Sequence, residues 1–254
     1  MSVKSLLLDL DGTLYIGNNE IPGAAAFVAD MRAAGVQCLF VTNRSNRFPE
    51  EICEQLRGYG IACEPGDVVT SAQATARYLA PGRAYVVGEA GLEAALRDAG
   101  FTLCEENADY VIVGWDRGFT YEKLRVACNL IGQGAEFVAT NPDKGINMED
   151  GFWPGTGALL AAISTVCEKS PKVIGKPEPY LFEMAIAHSG LKADDVLAVG
   201  DYLETDIRAA VACGIRSALL LTGVSRREDL EKSDVQPDII AENFKNLKAQ
   251  ILAC

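Results

Sequence analysis

Asp9 and Asp11 are two carboxylates one residue apart, in the stretch SLLLDLDGTL that spans residues 5–14. In an extended segment residues i and i+2 point the same way, so both carboxylates can face one spot. Two carboxylates that face each other repel, and such a site needs a cation or a shared proton. Mg2+ suits it, being a hard ion that prefers oxygen ligands. Asp-Gly by itself is also a common turn dipeptide, so the chemistry depends on what positions the pair. Leu6, Leu7 and Leu8 form an apolar run that reads as a strand buried on both faces. Gly12 lets the chain turn sharply. In an open α/β sheet the carboxyl ends of strands are where ligands bind.

Three other strand ends carry residues of complementary chemistry. The run VQCLFV ends in Thr42-Asn43-Arg44, whose hydroxyl, amide, guanidinium and backbone N–H groups are suited to phosphate oxygens. Lys176 follows a short apolar run in KVIGKPEP and would be a fixed positive charge beside carboxylates. VLAVG (residues 196–200) ends in Asp201, and GDYLETDI then brings Asp206 into the start of a helix. Taken singly, each of these has a plain structural reading: a turn, a helix cap or a solvated face. Glu204 reads as exposed.

The elements between these strand ends alternate. A helix opens near Pro22 and closes at Gly35, and another runs around residues 50–59. The order β-α-β-α implies a parallel sheet. Residues 70–80 read as a helix leading out of this region. Pro81-Gly82 breaks the chain, and a fresh α/β rhythm runs to about residue 170. Residues 1–81 and 171–254 therefore read as one core, and 82–170 as an inserted domain. PDIIAEN near the C-terminus reads as a last edge strand.

Composition sets limits. The chain has 254 residues, 49% of them hydrophobic, and a net charge of −12, which argues against nucleic acid or an anionic membrane as partner. No apolar run reaches the length of a membrane span, and no basic stretch followed by an apolar one opens the chain; a cytoplasmic protein is expected. The eight cysteines are scattered without a CxxC pair, and read as reduced, mainly buried thiols. His188 is the one histidine and reads as a helix-face residue, which leaves little room for serine–histidine chemistry.

DLDGTL, Thr42-Asn43, Lys176 and the Asp201/Asp206 cluster occur in the order of the four motifs of the haloacid dehalogenase (HAD) superfamily, which the chain resembles along nearly its whole length. The insertion lies between the second and third motifs, and its ATNPD (residues 139–143) and PGTGALLAAI (residues 154–163) resemble cap signatures of the NagD-type, 4-nitrophenylphosphatase-like subgroup. The resemblance implies a Rossmann-like, doubly wound parallel-sheet core with an inserted α/β cap domain. It implies hydrolysis of a small-molecule phosphomonoester through an aspartyl-phosphate on Asp9, with Asp11 as acid and base. Mg2+ would be held by the Asp9 carboxylate, the Asp11 backbone carbonyl and Asp201, with Asp206 supporting the ion's water shell. Thr42 and Lys176 would hold phosphate oxygens, with Asn43 and Arg44 as neighbours suited to the same anion. In the cap, Lys144 and Asn147 are candidates for reading the substrate, and a homo-oligomer formed through the cap is compatible with the resemblance. The alternative is a non-hydrolytic phosphate-ester binding or phosphoacceptor protein. A two-component receiver needs only about half this length, and a dehalogenase of the superfamily would lack Asp11.

Overall fold

A computed structural model describes residues 3–148 and 151–253. The chain begins with β1 (Ser5–Leu8), a small hairpin of β2 (Tyr15–Ile16) and β3 (Asn19–Glu20), α1 (Ala24–Ala33), β4 (Gln37–Thr42), α2 (Pro49–Gly58) and β5 (Val68–Thr70). It continues with α3 (Ser71–Tyr78), β6 (Arg83–Val87), α4 (Ala90–Asp98), β7 (Thr102–Leu103), β8 (Tyr110–Val113), α5 (Tyr121–Gly132) and β9 (Glu136–Ala139). A second hairpin, β10 (Gly145–Met148) and β11 (Gly151–Pro154), leads to α6 (Thr156–Cys167) and β12 (Lys172–Val173). The last part holds α7 (Tyr180–Ser189), β13 (Val196–Gly200), α8 (Arg208–Cys213), β14 (Arg216–Leu220), β15 (Ile239–Ala241) and α9 (Phe244–Ala253).

Two compact units result. The first comprises residues 1–42, 49–69 and 176–254, and the second residues 43–48 and 70–175. The second unit thus takes in α3 and β12, which lie outside the 82–170 segment read from the sequence. The reason for β12 is local: Lys172 and Val173 pair with Val138 and Ala139 of β9, so the chain remains on that sheet until Gly175.

The sheet of the first unit has the order β15-β14-β13-β1-β4-β5. β1 pairs in parallel with both β13 and β4. From β1 the chain builds outward to β5 and later returns to build the other side, so the order reverses at β1. The crevice beyond the strand ends at such a reversal is the usual ligand site of an open α/β sheet. Successive side chains of a strand point to opposite faces. Leu6, Leu8, Phe40 and Val199 share one core with Phe27 and Met31 of α1, Ile52 and Leu56 of α2, and Phe244 and Leu247 of α9. Leu7 and Leu39, also buried, face the other way, where α7 lies against β1 and β4. Covering both faces is what requires an uninterrupted apolar run such as Leu6–Leu8.

The second unit has a parallel sheet of order β12-β9-β8-β6-β7. Tyr85, Val111, Val113 and Phe137 form a core with Ala127 and Leu130 of α5 and Leu160 and Ile163 of α6. Where the sequence reads as a loop over residues 141–152, β10 and β11 pair as a hairpin, with Asn147 opposite Phe152. The two strands are only four residues each, too short for a strand pattern to stand out from a loop.

Cys53 and Cys63 form a disulfide with their Cα atoms 5.1 Å apart, where the sequence reading expected free thiols; α2 and the chain entering β5 bring together two residues that show no paired motif. Cys38, Cys104, Cys128, Cys167 and Cys213 are free. His188 is exposed on α7, with its Nε2 2.7 Å from the Gly66 carbonyl. Among the described residues, no helix is long and apolar enough to cross a membrane.

Candidate active site

The site is built at the carboxyl ends of β1 and β13. The Asp9 N–H donates to the Val199 carbonyl at 2.9 Å, which carries the pairing of these strands one residue past Leu8 and holds Asp9 at their tip. The chain then turns. Gly12 has φ of 86°, and a Cβ there would collide with the Asp201 carboxylate. Glycine is needed on both counts. The Gly12 N–H closes the turn on the Tyr15 carbonyl at 2.8 Å, at the start of the β2–β3 hairpin, and Thr222 Oγ1 donates to the Gly12 carbonyl at 2.8 Å.

Asp201 follows Gly200, the last residue of β13. Its Oδ2 accepts the Val224 N–H at 2.6 Å. Asp206 lies on a π-helical turn, Leu203–Ile207, that precedes α8, and its Oδ2 accepts the Tyr202 N–H at 3.2 Å. Lys176 completes the cluster: Nζ stands 2.5 Å from Asp9 Oδ1 and 2.6 Å from Asp206 Oδ1. Thr13 Oγ1 lies 3.3 Å from Asp9 Oδ2 and 3.4 Å from Asp201 Oδ1. Asp9, Thr13, Lys176, Asp201 and Asp206 are all buried.

Asp9, Asp201 and Asp206 each offer one oxygen, and the three oxygens lie within 4.8 Å of one another. One ammonium cannot neutralise three carboxylates. The surplus shows in the acidities. Burial drives the Asp9 carboxyl well above its ordinary value; the Lys176 charge opposes this, and Asp206 and Asp201 add to it. Burial, then the Asp206 charge, pushes Asp201 up to about 7. Burial also disfavours the Lys176 ammonium, but the Asp206 and Asp9 carboxylates outweigh it and hold Lys176 above its usual value. A buried all-oxygen donor set with excess negative charge is the environment that a hard divalent cation neutralises.

The remaining residues singled out in the sequence fall as follows. Asp11 is half-buried and its backbone bridges to Tyr15; its carboxylate is outside the trio. Thr42 is the last residue of β4, beside β1, and is buried. Asn43 and Arg44 belong to the second unit. There Asn43 Nδ2 donates to Asp143 Oδ2 at 3.0 Å, and the Arg44 guanidinium stands 6.0 Å from the centre of the Trp115 ring. Lys144 is exposed at the entry to the β10–β11 hairpin, and Asn147 is on β10. Sequence reasoning passed over Thr13 and the Val224 N–H. Thr13 is visible as the third residue of Asp-Gly-Thr; the Val224 N–H has no signature, because a backbone group in the turn that follows a distant strand leaves no residue type to read.

Parallel strands, helices on both faces and buried carboxylates at a sheet reversal define a Rossmann-like α/β fold with its candidate site at the reversal. Residues 6–102 match the family profile described as haloacid dehalogenase-like hydrolase, and residues 173–247 match one described as HAD-hydrolase-like. The acid sugar phosphatase of Staphylococcus haemolyticus (strain JCSC1435) is 41% identical over 253 residues, covering 98% of this chain and 95% of that protein. The 4-nitrophenylphosphatase of Thermotoga maritima superposes with a TM-score of 0.92 at 31% identity, covering 98% of this chain and 97% of that one. NagD from E. coli K-12 gives a TM-score of 0.90 at 33% identity, covering 96% and 98%. The chain belongs to the haloacid dehalogenase-like hydrolases, as a phosphatase of the NagD type.

Proposed function

We propose that this protein hydrolyses small phosphorylated metabolites, with Mg2+ as cofactor, through an aspartyl-phosphate on Asp9. The observation that carries the reading is the Asp9 carboxylate, buried at the tip of β1 with Lys176 at 2.5 Å and with Asp201 and Asp206 around it. Mg2+ fits this donor set. Asp9 and Asp201, with the Asp11 backbone carbonyl, would hold it and Asp206 would support its water shell, and when bound it would neutralise charge between carboxylate and phosphate.

The chain's own groups supply the rest. An Asp9 oxygen attacks phosphorus as the bond to the ester oxygen breaks, giving an acyl phosphate. The Asp11 carboxyl gives its proton to the departing oxygen. Water then attacks phosphorus, Asp11 takes a proton from it, and phosphate leaves with Asp9 restored. Lys176 and Thr42 hold the non-bridging oxygens in line, because phosphoryl transfer depends chiefly on positioning and charge stabilisation. The inserted unit would serve as the cap, with Lys144 and Asn147 of its hairpin as candidates for reading the leaving group. The name of the staphylococcal relatives favours a sugar phosphate among the candidate substrates.

The test is hydrolysis of 4-nitrophenyl phosphate by the purified protein with Mg2+, with and without a chelator, beside Asp9→Asn. Asp9→Asn is nearly isosteric and should lower turnover at least about 1000-fold, the scale of removing a nucleophile. The chelator should abolish turnover and Mg2+ restore it. Activity of Asp9→Asn within tenfold of wild type, or full activity in excess chelator, would overturn the reading. A stable phosphoenzyme without turnover would favour the phosphoacceptor alternative.

A further inference from the structure

The chain passes between its two units after Thr42, Phe48, Val69 and Gly175. Three of these passages are gathered within the second unit. Ser71 Oγ donates to the Asn43 carbonyl at 2.6 Å, and Asn141 Nδ2 donates to the same carbonyl at 2.9 Å. The Gly175 N–H donates to the Thr140 carbonyl at 2.9 Å. A Cβ on Gly175 would run into the Thr140 carbonyl oxygen and Asn43 Oδ1, with the Ser71 Cβ only 3.2 Å away. Glycine is required here for close approach and not for a left-handed φ.

Asp143 ties this knot together. Its Oδ2 accepts from Asn43 Nδ2 at 3.0 Å. Its N–H donates to Asn141 Oδ1 at 3.1 Å, and its carbonyl accepts the Gly157 N–H at 2.8 Å, which anchors it to the start of α6. Ser71, Thr140 and Asn141 are buried, so these polar groups depend on one another for hydrogen bonds.

Asn43 is covalently next to Thr42, and Gly175 is covalently next to Lys176. Thr42 and Lys176 are the two residues assigned to the phosphate oxygens. We infer that Asp143 is a positioning residue for phosphoryl transfer: it acts through Asn43 on Thr42, and through the Thr140–Gly175 contact on Lys176. Segment 140–143 of the inserted unit thereby aligns the phosphate grip without touching the reacting atoms. The inference rests on the phosphatase reading given above.

Asp143→Ala and Asp143→Asn in the full chain test it. Asparagine keeps an oxygen that accepts from Asn43; alanine does not. Three quantities are measured: kcat/KM across a panel of phosphate esters, inhibition by inorganic phosphate, and Tm. Asp143→Ala should lower kcat/KM by about 10- to 100-fold, the loss that a misplacement of roughly 1 Å produces. The loss should be equal for every ester, since all share the phosphate, and inorganic phosphate should inhibit more weakly. Asp143→Asn should stay within about threefold of wild type. Should Asp143→Ala fold poorly, Ser71→Ala removes another hold on Asn43 and carries the same expectation. Unchanged kcat/KM and phosphate inhibition would overturn the inference. So would a loss that reorders the esters, a loss equally deep in Asp143→Asn, or a loss that merely follows a fall in Tm. Wild-type turnover in the same assay checks the phosphatase reading separately: an active wild type with an indifferent Asp143→Ala sinks this inference and leaves that reading standing.

Discussion

The acidic end of the core sheet and the β10–β11 hairpin of the inserted unit are opposites in physical character. At the first, five polar side chains are buried, each held by hydrogen bonds or ion pairs from separate strands and turns. At the second, Lys144 and Phe152 are exposed and the pairing is local. Chemistry on phosphorus needs groups that cannot move, set in a dry site where their charges act strongly. Selection among leaving groups needs a surface that tolerates change. The function proposed above would put the first task on the parallel strands of the core and the second on this more exposed hairpin.

The largest break in that comparison is expected from Lys176→Ala. The side chain is buried between Asp9 and Asp206, and truncation leaves those carboxylates facing each other. Activity should fall by about 100- to 1000-fold for every ester, the scale of removing one electrostatic stabiliser. Stability without metal should fall by about 3–5 kcal/mol, as when one partner of a buried pair is removed, and Mg2+ should recover part of it. Urea unfolding with and without Mg2+ measures this. An undiminished midpoint in chelator would mean that the ammonium does not hold the cluster together.

A smaller effect, confined to the acidic end, is expected from pH. The folded value of Asp201 is about 7, raised from an ordinary carboxyl of about 4 in the unfolded chain. A raised carboxyl favours the folded state fully at low pH, and that contribution is lost as pH rises from about 4 through about 7. Asp9 is raised in the same sense. Lys176, also raised, keeps its contribution until far higher pH and does not cancel this trend. Metal-free protein should therefore lose stability across that window, and Asp201→Asn should flatten the loss. Protons compete with metal for the same oxygens, so the gain in Tm from Mg2+ should be larger at about pH 8 than at about pH 5. Equal gains at both values would show that the ion binds elsewhere.

The smallest effect should come from Lys144→Ala. One lost polar contact is worth about 1 kcal/mol, so turnover of 4-nitrophenyl phosphate should remain within roughly tenfold. What should change is the ranking of esters by kcat/KM, because the proposed role of Lys144 is to read the leaving group. A uniform loss without reordering would assign Lys144 to the fold of the hairpin and not to selection.

Much of this was legible in the residues. Leu6–Leu8, unbroken and apolar, read as a strand covered on both sides, and Asp9 just past its end lies at the carboxyl end of the sheet where ligands bind. The places of Lys176 and Asp201 were readable because each follows a short apolar run and falls in the order of the motifs that the chain resembles. The β10–β11 hairpin was not, since two strands of four residues each are too short for a pattern to separate them from a loop. Nor was the Cys53–Cys63 disulfide, because α2 and the segment before β5 supply one cysteine each and no motif links them.

By itself the sequence determined the class of fold, the order of its elements and the residue types available for chemistry, since apolar runs, glycines and acidic strand ends act over a few residues. Only the tertiary structure decided that Asp206 joins Asp9 and Asp201 as a third carboxylate, that Lys176 bridges two of them, and that Thr13 and the Val224 N–H complete the site. The same holds for the knot of Asn43, Asp143 and Gly175. Those groups are separated by up to about two hundred residues of chain, and their meeting depends on strand order and packing, which no local pattern encodes.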